Sequence, residues 1–174
     1  HIIDNTPGFD PSVIDYIIVG NAVPEAEQGL QMGRWVGVRS KLPQEVPGVS
    51  VNRYCGSGIE TISMAVAKIK AGLADCIIAG GTESMSLVPT VGYKTVPNYT
   101  IAAEHPDYFI GMGLTAEEVA VKYNISREDQ DAFALGSHQK ALKALAENKF
   151  KNQIVPFEVE QVDFDPKTNK RVKS

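Results

Sequence analysis

The sequence predicts an α/β fold built on a parallel sheet, and three observations support this prediction. Short segments rich in β-branched residues, over 12–20, 49–54 and 76–81, are typical of buried strands. Between the second and the third of them, apolar residues recur every three or four positions from Ile59 to Leu73, which is the spacing of a helix. Alternating strands and helices predict parallel strands joined by right-handed crossovers, with helices on the faces of the sheet.

Glycine and proline mark the ends of the first two predicted helices. The helical pattern over residues 28–41 is weaker and ends before Pro43. The stronger helix begins at the glycines around Gly58 and ends near Gly72, because glycine is common at helix C-termini. Each helix therefore ends before the next predicted strand.

Two more helices and a strand are predicted further along the chain. Residues 115–123 predict a short helix with Thr115 as its N-cap. Ser126 begins an acidic form of the capping box, which opens a long helix to about Asn148. Residues 154–159 alternate like a strand, and their proline indicates an edge strand or a bend.

The composition excludes several classes of function. The chain has 174 residues, 43% of them hydrophobic, and a formal net charge of −4, whereas nucleic-acid-binding surfaces carry a basic excess. No apolar run reaches the roughly 18 residues of a membrane span, and we expect no secretory signal at His1. Cys55 and Cys76 are too few for a disulfide framework or a structural zinc site, so we expect no metal and a cytoplasmic location.

The most informative residue is Cys55, at a predicted turn from strand to helix. The turn would project its sulfur, and the helix N-terminus would favour the thiolate through unpaired N–H groups. The backbone N–H of Cys55 is also placed to donate to a developing oxyanion. These features suit a nucleophile, although the same position suits a small apolar residue in a tight turn.

The glycines after Cys55 allow a different interpretation, a turn that cradles phosphate. The segment lacks the full dinucleotide-binding pattern and the Lys-Ser/Thr of a P-loop. Ser57 also lacks the Gly-x-Ser-x-Gly context of a hydrolase nucleophile. Both interpretations are therefore weaker than a nucleophilic cysteine.

Four segments, in their order and spacing, resemble the thiolase family. They are Val51-Asn-Arg-Tyr-Cys-Gly-Ser-Gly-Ile-Glu-Thr-Ile62, Ala79-Gly-Gly-Thr-Glu-Ser-Met-Ser86, Met112-Gly-Leu-Thr-Ala-Glu117 and Ser126-Arg-Glu-Asp-Gln-Asp-Ala-Phe133. The resemblance covers about residues 12–160. It implies a thiolase-like fold with α-β-α layers and a mixed, mostly parallel sheet.

The resemblance also implies a domain organisation. Residues 1–84 and 150–174 would form an incomplete N-terminal core domain, and residues 85–149 an inserted loop domain covering the active site. Thiolases are about twice as long, so we expect the C-terminal half to be missing, with its Gly-His-Pro histidine, Cys-x-Gly cysteine and oxyanion asparagine. The chain alone is therefore expected to be inactive.

The chemistry implied by the resemblance is acyl transfer between coenzyme A thioesters. Cys55 would be acylated by a 3-ketoacyl-CoA or acetyl-CoA, and coenzyme A or an acetyl-CoA carbanion would then resolve the acyl-enzyme. Met112 matches a methionine that lines the acyl or pantetheine pocket, or it packs in a core. Coenzyme A is a substrate and no cofactor is implied. The family implies a homodimer or homotetramer and a role in fatty acid metabolism, including β-oxidation.

Other chemically capable side chains are interpreted as structural. His105 lies in a Glu-His-Pro-Asp loop rather than in Gly-His-Pro, and His138 lies near leucines of the long helix, where a partly buried histidine is expected. Cys76 is interpreted as a small core residue. Glu83 either positions the nucleophile region or satisfies buried backbone groups, and we favour the structural role.

Two alternatives to a thiolase stay open. One is a related condensing enzyme of the ketoacyl synthase type, which also uses a cysteine between strand and helix. The run from Ala79 to Ser86 favours a thiolase over it. The other is a non-catalytic, thiolase-like subunit that binds acyl-CoA, and the presence of Cys55 argues against it.

Overall fold

The computed structural model describes residues 1–40, 42–160, 162–164, 167–168 and 171–173. By its contacts the chain divides into two compact units, His1–Ile101 and Ala102–Ser174. The boundary falls within the segment 85–149, and the predicted division into a core domain and an inserted domain stays a prediction.

The first unit is an α/β layer structure whose described strands form a parallel sheet in the order β2-β1-β3. The sequence prediction of alternating strands and helices around a parallel sheet is therefore confirmed. Its strands and helices are β1 (Tyr16–Gly20), α1 (Met32–Arg39), β2 (Gly48–Val51), α2 (Ser57–Lys70) and β3 (Ile77–Gly81).

The core lies around β1, because that strand pairs on both sides. Ile17 aligns with Gly48 of β2 and with Ile78 of β3. Ile17, Ile18 and Val19 are almost fully buried, so neither face of the strand is open to water. Buried β-branched residues on both faces are typical of parallel sheets covered by helices.

Helix α1 packs against β2 with the two backbones in contact. A β-carbon on Gly33 would lie 2.3 Å from the carbonyl oxygen of Val49, and one on Gly48 would lie 2.4 Å from the backbone nitrogen of Arg34. Real side chains do not reach such distances, so this close approach requires glycine on both elements.

The strand predicted over residues 12–20 is shorter than expected at its start. Pro11–Val13 form a 3₁₀ turn instead, and Asp10 caps it by accepting a hydrogen bond from the Ser12 N–H at 2.9 Å. The helix predicted over residues 28–41 is likewise shorter, because a 3₁₀ turn at Ala26–Gln28 precedes α1.

The second unit contains mainly helices. Helix α3 (Tyr99–Glu104) begins in the first unit and ends in the second. The regular elements that follow are a 3₁₀ turn at Pro106–Phe109, α4 (Met112–Tyr123), α5 (Arg127–Ala146), β4 (Val162–Phe164) and β5 (Arg171–Lys173). Strands β4 and β5 form an antiparallel pair.

Of the two predicted helix caps, one is confirmed and one is wrong. Ser126 is the N-cap of α5 and accepts a hydrogen bond from the Asp129 N–H at 3.1 Å. Helix α4 starts earlier than predicted, with Gly111 as N-cap, and the Thr115 hydroxyl donates to the Gly111 carbonyl inside the first turn.

The strand predicted over residues 154–159 is also wrong. That segment has no regular secondary structure, and β4 begins only at Val162. Pro156 has no N–H to donate to a strand partner, which weakens any ladder through this segment. Among the described helices, none combines the length and the hydrophobicity that crossing a membrane requires.

Candidate active site

The candidate site lies where the three parallel strands of the first unit end. Because the strands are parallel, Gly20, Val51 and Gly81 bring their following loops to one edge of the sheet. A cavity of about 430 Å³ lies there, and all three loops line it. Cys55 lines this cavity together with Met85 and other residues.

Cys55 lies in a tight turn between β2 and α2. The turn is a 3₁₀ segment, Tyr54–Gly56, and the side chain of Cys55 is exposed. The 14-residue helix α2 begins two residues later at Ser57, so Cys55 lies between a strand and the start of a helix, as the sequence predicted.

The turn holds a strained residue immediately before the cysteine. Tyr54 has a φ of 46°, in the left-handed region that non-glycine residues rarely occupy. Such a conformation costs on the order of 1–3 kcal/mol and persists only where the surrounding structure enforces it. The sequence gives no signal of this strain, because Tyr is not a residue that favours a left-handed turn.

Ser57 holds part of the turn around Tyr54 and Cys55, and it is almost fully buried. Its hydroxyl accepts a hydrogen bond from the Arg53 N–H at 2.9 Å and donates to the Tyr54 carbonyl at 2.6 Å. It therefore closes the turn around Cys55. The sequence argued against Ser57 as a hydrolase nucleophile, but it did not reveal this structural role.

Asn52 holds the same turn from the other side. Its Oδ1 accepts a hydrogen bond from the Tyr54 N–H at 2.9 Å, and its Nδ2 donates to the Ala22 carbonyl at 3.0 Å. One side chain thus joins the loop after β2 to the loop after β1. A lone asparagine in a loop carries no sequence pattern that would have identified it.

Glu83 anchors the loop after β1, which agrees with the structural role favoured from the sequence. Its carboxylate accepts hydrogen bonds from the Ala22 N–H at 2.7 Å and the Val23 N–H at 3.3 Å. The side chains of Gln28 and Asn21 donate to the same carboxylate, at 2.7 Å and 3.3 Å. Four donors on one carboxylate fix the loop after β1 to the loop after β3.

Gln28 and Asn21 are buried members of this network that sequence analysis missed. Gln28 is 2% exposed, and besides Glu83 it contacts the Val23 carbonyl and the Ser84 N–H. Asn21 donates to the Thr82 carbonyl at 2.9 Å. Neither residue lies in a recognisable motif, and their partners are far away in sequence.

The other residues singled out from the sequence lie elsewhere. Met112 is the first residue of α4 in the second unit, where it is exposed, and its assignment to a substrate pocket stays a prediction. His105 is the residue before a 3₁₀ turn, with its ring 5.5 Å from that of Tyr108. His138 is exposed on α5, so the expectation of partial burial is wrong. Cys76 packs half-buried against the core, as expected.

The geometry suits nucleophilic chemistry at Cys55. A cysteine thiolate is both a good nucleophile and a good leaving group. The turn is held by hydrogen bonds with Asn52 and Ser57, and Cys55 lines the cavity.

Comparison with known proteins gives the same family. The sequence profile described as "Thiolase, N-terminal domain" matches residues 1–172. The 3-ketoacyl-CoA thiolase of Bacillus subtilis (strain 168) is 58% identical over 146 residues, which cover 84% of this chain and 37% of that protein. A Staphylococcus aureus (strain COL) protein named "Probable acetyl-CoA acyltransferase" is 38% identical over 178 aligned positions, covering 95% of this chain and 45% of that protein.

A solved structure is similar in its fold. The crystal structure of Acat5 thiolase from Ascaris suum in complex with coenzyme A matches with a TM-score of 0.73 and 30% sequence identity. The match covers 87% of this chain and 42% of that one, so the chain spans less than half the length of these relatives. The thiolase-like α/β fold expected from the sequence is confirmed, and the chain belongs to the thiolase family, whose N-terminal domain it matches.

Proposed function

We propose that the full-length protein, at the length of its relatives, is a thiolase that transfers acyl groups through Cys55. It cleaves a 3-ketoacyl-CoA with coenzyme A, or runs the reverse condensation of acetyl-CoA. The observation that carries this proposal is the position of Cys55, in a fixed turn at the start of α2, facing a cavity of about 430 Å³. The relatives named as thiolase and acyltransferase support it.

The proposed reaction has two steps that share the cysteine. The Cys55 thiolate attacks the keto carbon of the 3-ketoacyl-CoA, the bond between the α- and β-carbons breaks, and acetyl-CoA leaves as its enolate and takes up a proton. The thiol of coenzyme A then loses its proton and attacks the acyl-enzyme, and Cys55 leaves as a thiolate. Dividing the reaction in this way replaces one difficult step with two easier ones.

The backbone at Cys55 is proposed to support the first step. Its N–H lies at the start of a helix and is placed to donate to the oxyanion that forms on the attacked carbonyl. The groups that move protons are proposed to lie outside these 174 residues, since the Gly-His-Pro and Cys-x-Gly motifs of the family do not occur in them.

Several finer features belong to the same proposal. Coenzyme A acts as a substrate, and no metal or redox cofactor takes part. Met112 lines the acyl or pantetheine pocket. The protein is a cytoplasmic homodimer or homotetramer that acts in fatty acid metabolism, including β-oxidation. The coenzyme A in the Ascaris suum structure supports the choice of substrate class.

The decisive experiment is Cys55→Ser in the full-length protein. A hydroxyl is far less ionised than a thiol at neutral pH, so turnover of acetoacetyl-CoA with coenzyme A should fall by several orders of magnitude. Binding of coenzyme A should survive, because it depends on other surfaces. Cys76→Ser is the matched control and should retain activity.

The same experiment separates a thiolase from a non-catalytic subunit that binds acyl-CoA. Incubation with acetyl-CoA should leave one acetyl group on Cys55 in the wild type and none in Cys55→Ser, as measured by peptide mass spectrometry. Turnover like that of the wild type in Cys55→Ser would remove Cys55 from the mechanism.

A further inference from the structure

The Asn52 side chain forms hydrogen bonds through both its oxygen and its nitrogen, and these bonds go to two different loops. Its oxygen accepts a hydrogen bond from the Tyr54 N–H at 2.9 Å, one residue before Cys55. Its nitrogen donates to the Ala22 carbonyl at 3.0 Å, in a loop 30 residues earlier in the chain. A side-chain amide can accept through its oxygen and donate through its nitrogen at the same time.

The bond to Tyr54 acts on the strained residue of the turn. Tyr54 has a φ of 46°, and both of its backbone polar groups are held, the N–H by Asn52 and the carbonyl by Ser57. Ser57 is the first residue of α2. Asn52 therefore supplies the side-chain bond that keeps the Tyr54 N–H in the orientation that the left-handed turn requires.

The bond to Ala22 gives Asn52 a rigid support. The Ala22 N–H donates to Glu83 at 2.7 Å, and Gln28 and Asn21 donate to the same carboxylate. Gln28 and Asn21 are almost fully buried. The loop after β1 is therefore fixed to the loop after β3, and Asn52 connects the Cys55 turn to this fixed pair.

We propose that Asn52 is a positioning residue for Cys55. It does not touch the reacting atoms. It ties the strained Tyr54 to the Glu83-anchored loop, and so sets the direction of the Cys55 sulfur and of the Cys55 backbone N–H. The inference rests on the proposed function in one respect only, namely that Cys55 is the nucleophile.

Loss of Asn52 should reduce the rate of reaction more than the binding of substrate. Without the bond to Tyr54 the turn can relax toward an ordinary backbone conformation, and the sulfur and the N–H then move together. A displacement of about 1 Å at reacting groups can cost on the order of 100-fold in rate. We therefore expect the kcat of Asn52→Ala to fall about 10- to 100-fold, with KM for acetoacetyl-CoA changing by less than about 2-fold.

The two bonds can be separated with Asn52→Ser. A serine hydroxyl accepts a hydrogen bond from the N–H two residues ahead, more weakly than asparagine, but it is too short to bridge to Ala22 as well. Its kcat should lie between those of the wild type and Asn52→Ala. This partial rescue would not be expected if Asn52 merely filled space.

Asp10→Ala is the matched control. Asp10 also accepts a hydrogen bond from a backbone N–H two residues ahead, that of Ser12 at 2.9 Å, and it also precedes a 3₁₀ turn. It lies before the amino end of β1, away from the strand ends that line the cavity. Asp10→Ala should keep the kcat of the wild type, even where its melting temperature changes as much as that of Asn52→Ala.

Two outcomes would overturn the proposal. The first is an unchanged kcat in Asn52→Ala, or a loss no larger than the loss of folded protein seen by circular dichroism. The second is that neither Asn52→Ala nor Asn52→Ser folds, which would assign Asn52 to folding alone.

A second measurement distinguishes this proposal from the proposed function. If the wild type does not turn over acyl-CoA, the proposed function fails, but Cys55 still reacts with iodoacetamide. The alkylation rate of Cys55 at fixed pH should then be several-fold lower in Asn52→Ala than in the wild type and in Asp10→Ala, because the turn that places Cys55 before the start of α2 would no longer be fixed. Equal rates would overturn the positioning role, whatever the enzyme's activity.

Discussion

Cys55 and Cys76 have the same side chain in different surroundings. Cys55 is exposed, lines the cavity and lies beside the start of α2, whereas Cys76 is half-buried next to Ile78 and the core around Ile14. A thiol reacts as its thiolate and only where a reagent can reach it. The two cysteines should therefore differ in reactivity.

We expect iodoacetamide to label Cys55 at least about 10-fold faster than Cys76 in the folded, full-length protein. Mass spectrometry of tryptic peptides after timed alkylation would give both rates. Denaturant serves as the control, since unfolding should make the two rates similar. Equal labelling in the folded protein, or labelling of Cys76 alone, would contradict this expectation.

At the scale of elements, the contact between α1 and β2 depends on glycine. A β-carbon at Gly33 would meet the Val49 carbonyl oxygen at 2.3 Å, and backbone atoms cannot move aside as a flexible side chain can. Gly136, within α5, has no such neighbour, because a β-carbon there would meet nothing within 4 Å. The same substitution should therefore have opposite effects at the two positions.

We expect Gly33→Ala to lower the free energy of unfolding by about 1–3 kcal/mol or more, because it forces α1 away from β2. Gly136→Ala should raise it by up to about 1 kcal/mol, since alanine favours a helix interior. Urea denaturation followed by circular dichroism would measure both. A neutral Gly33→Ala would show that α1 does not pack as described.

Asp15 joins two strands at the other edge of the sheet. Its carboxylate accepts hydrogen bonds from the N–H groups of Asp75 at 2.7 Å and Cys76 at 3.0 Å, just before β3. The bond from Asp75, followed by that from Cys76, lowers the pKa of the Asp15 carboxyl below its usual 3.8. Asp15 therefore stabilises the folded protein in its charged form.

The effect of pH follows from the lowered pKa. The stabilisation by Asp15 is present above the unfolded pKa of about 3.8 and is lost as pH falls through the lower folded pKa. We expect Asp15→Asn to melt at a lower temperature than the wild type at pH 7, with the difference disappearing in strong acid. Asp131→Asn, which breaks an exposed ion pair with Arg127, should show little change at pH 7. A difference that persists unchanged to the lowest pH would contradict the role of Asp15.

Local sequence patterns predicted the elements better than they predicted the site. Strands such as β1 are visible because buried parallel strands are short and apolar, and the cap at Ser126 is visible because its partner is three residues away. The bonds of Asn52 and Glu83 to Ala22 span 30 and 61 residues. No local pattern encodes such pairs, so Cys55 could be found from its motif while the residues that hold it could not.

At the scale of the whole molecule, one face of α2 lacks a partner among the described residues. Its apolar side chains remain substantially exposed, at 44–77%. Contiguous exposed apolar patches promote association. The residues are Ile59, Ile62, Val66 and Ile69.

We expect the chain of 174 residues, purified alone, to self-associate and to show no measurable thiolase turnover. Activation of Cys55 and proton transfer at the substrate need groups that are not identified in this chain. Size-exclusion chromatography and an assay with acetoacetyl-CoA and coenzyme A would test both expectations, with the full-length protein as control. Sustained turnover that disappears in His105→Ala would show that His105 is the base and that the family motifs were transferred wrongly.

The bonds that hold Cys55 also determine when its surroundings arise during folding. The bond from Asn52 to Ala22 requires β1 to pair with β2. The bond from Ala22 to Glu83 requires β1 to pair with β3. The surroundings of Cys55 are therefore complete only when all three strands of the sheet are assembled.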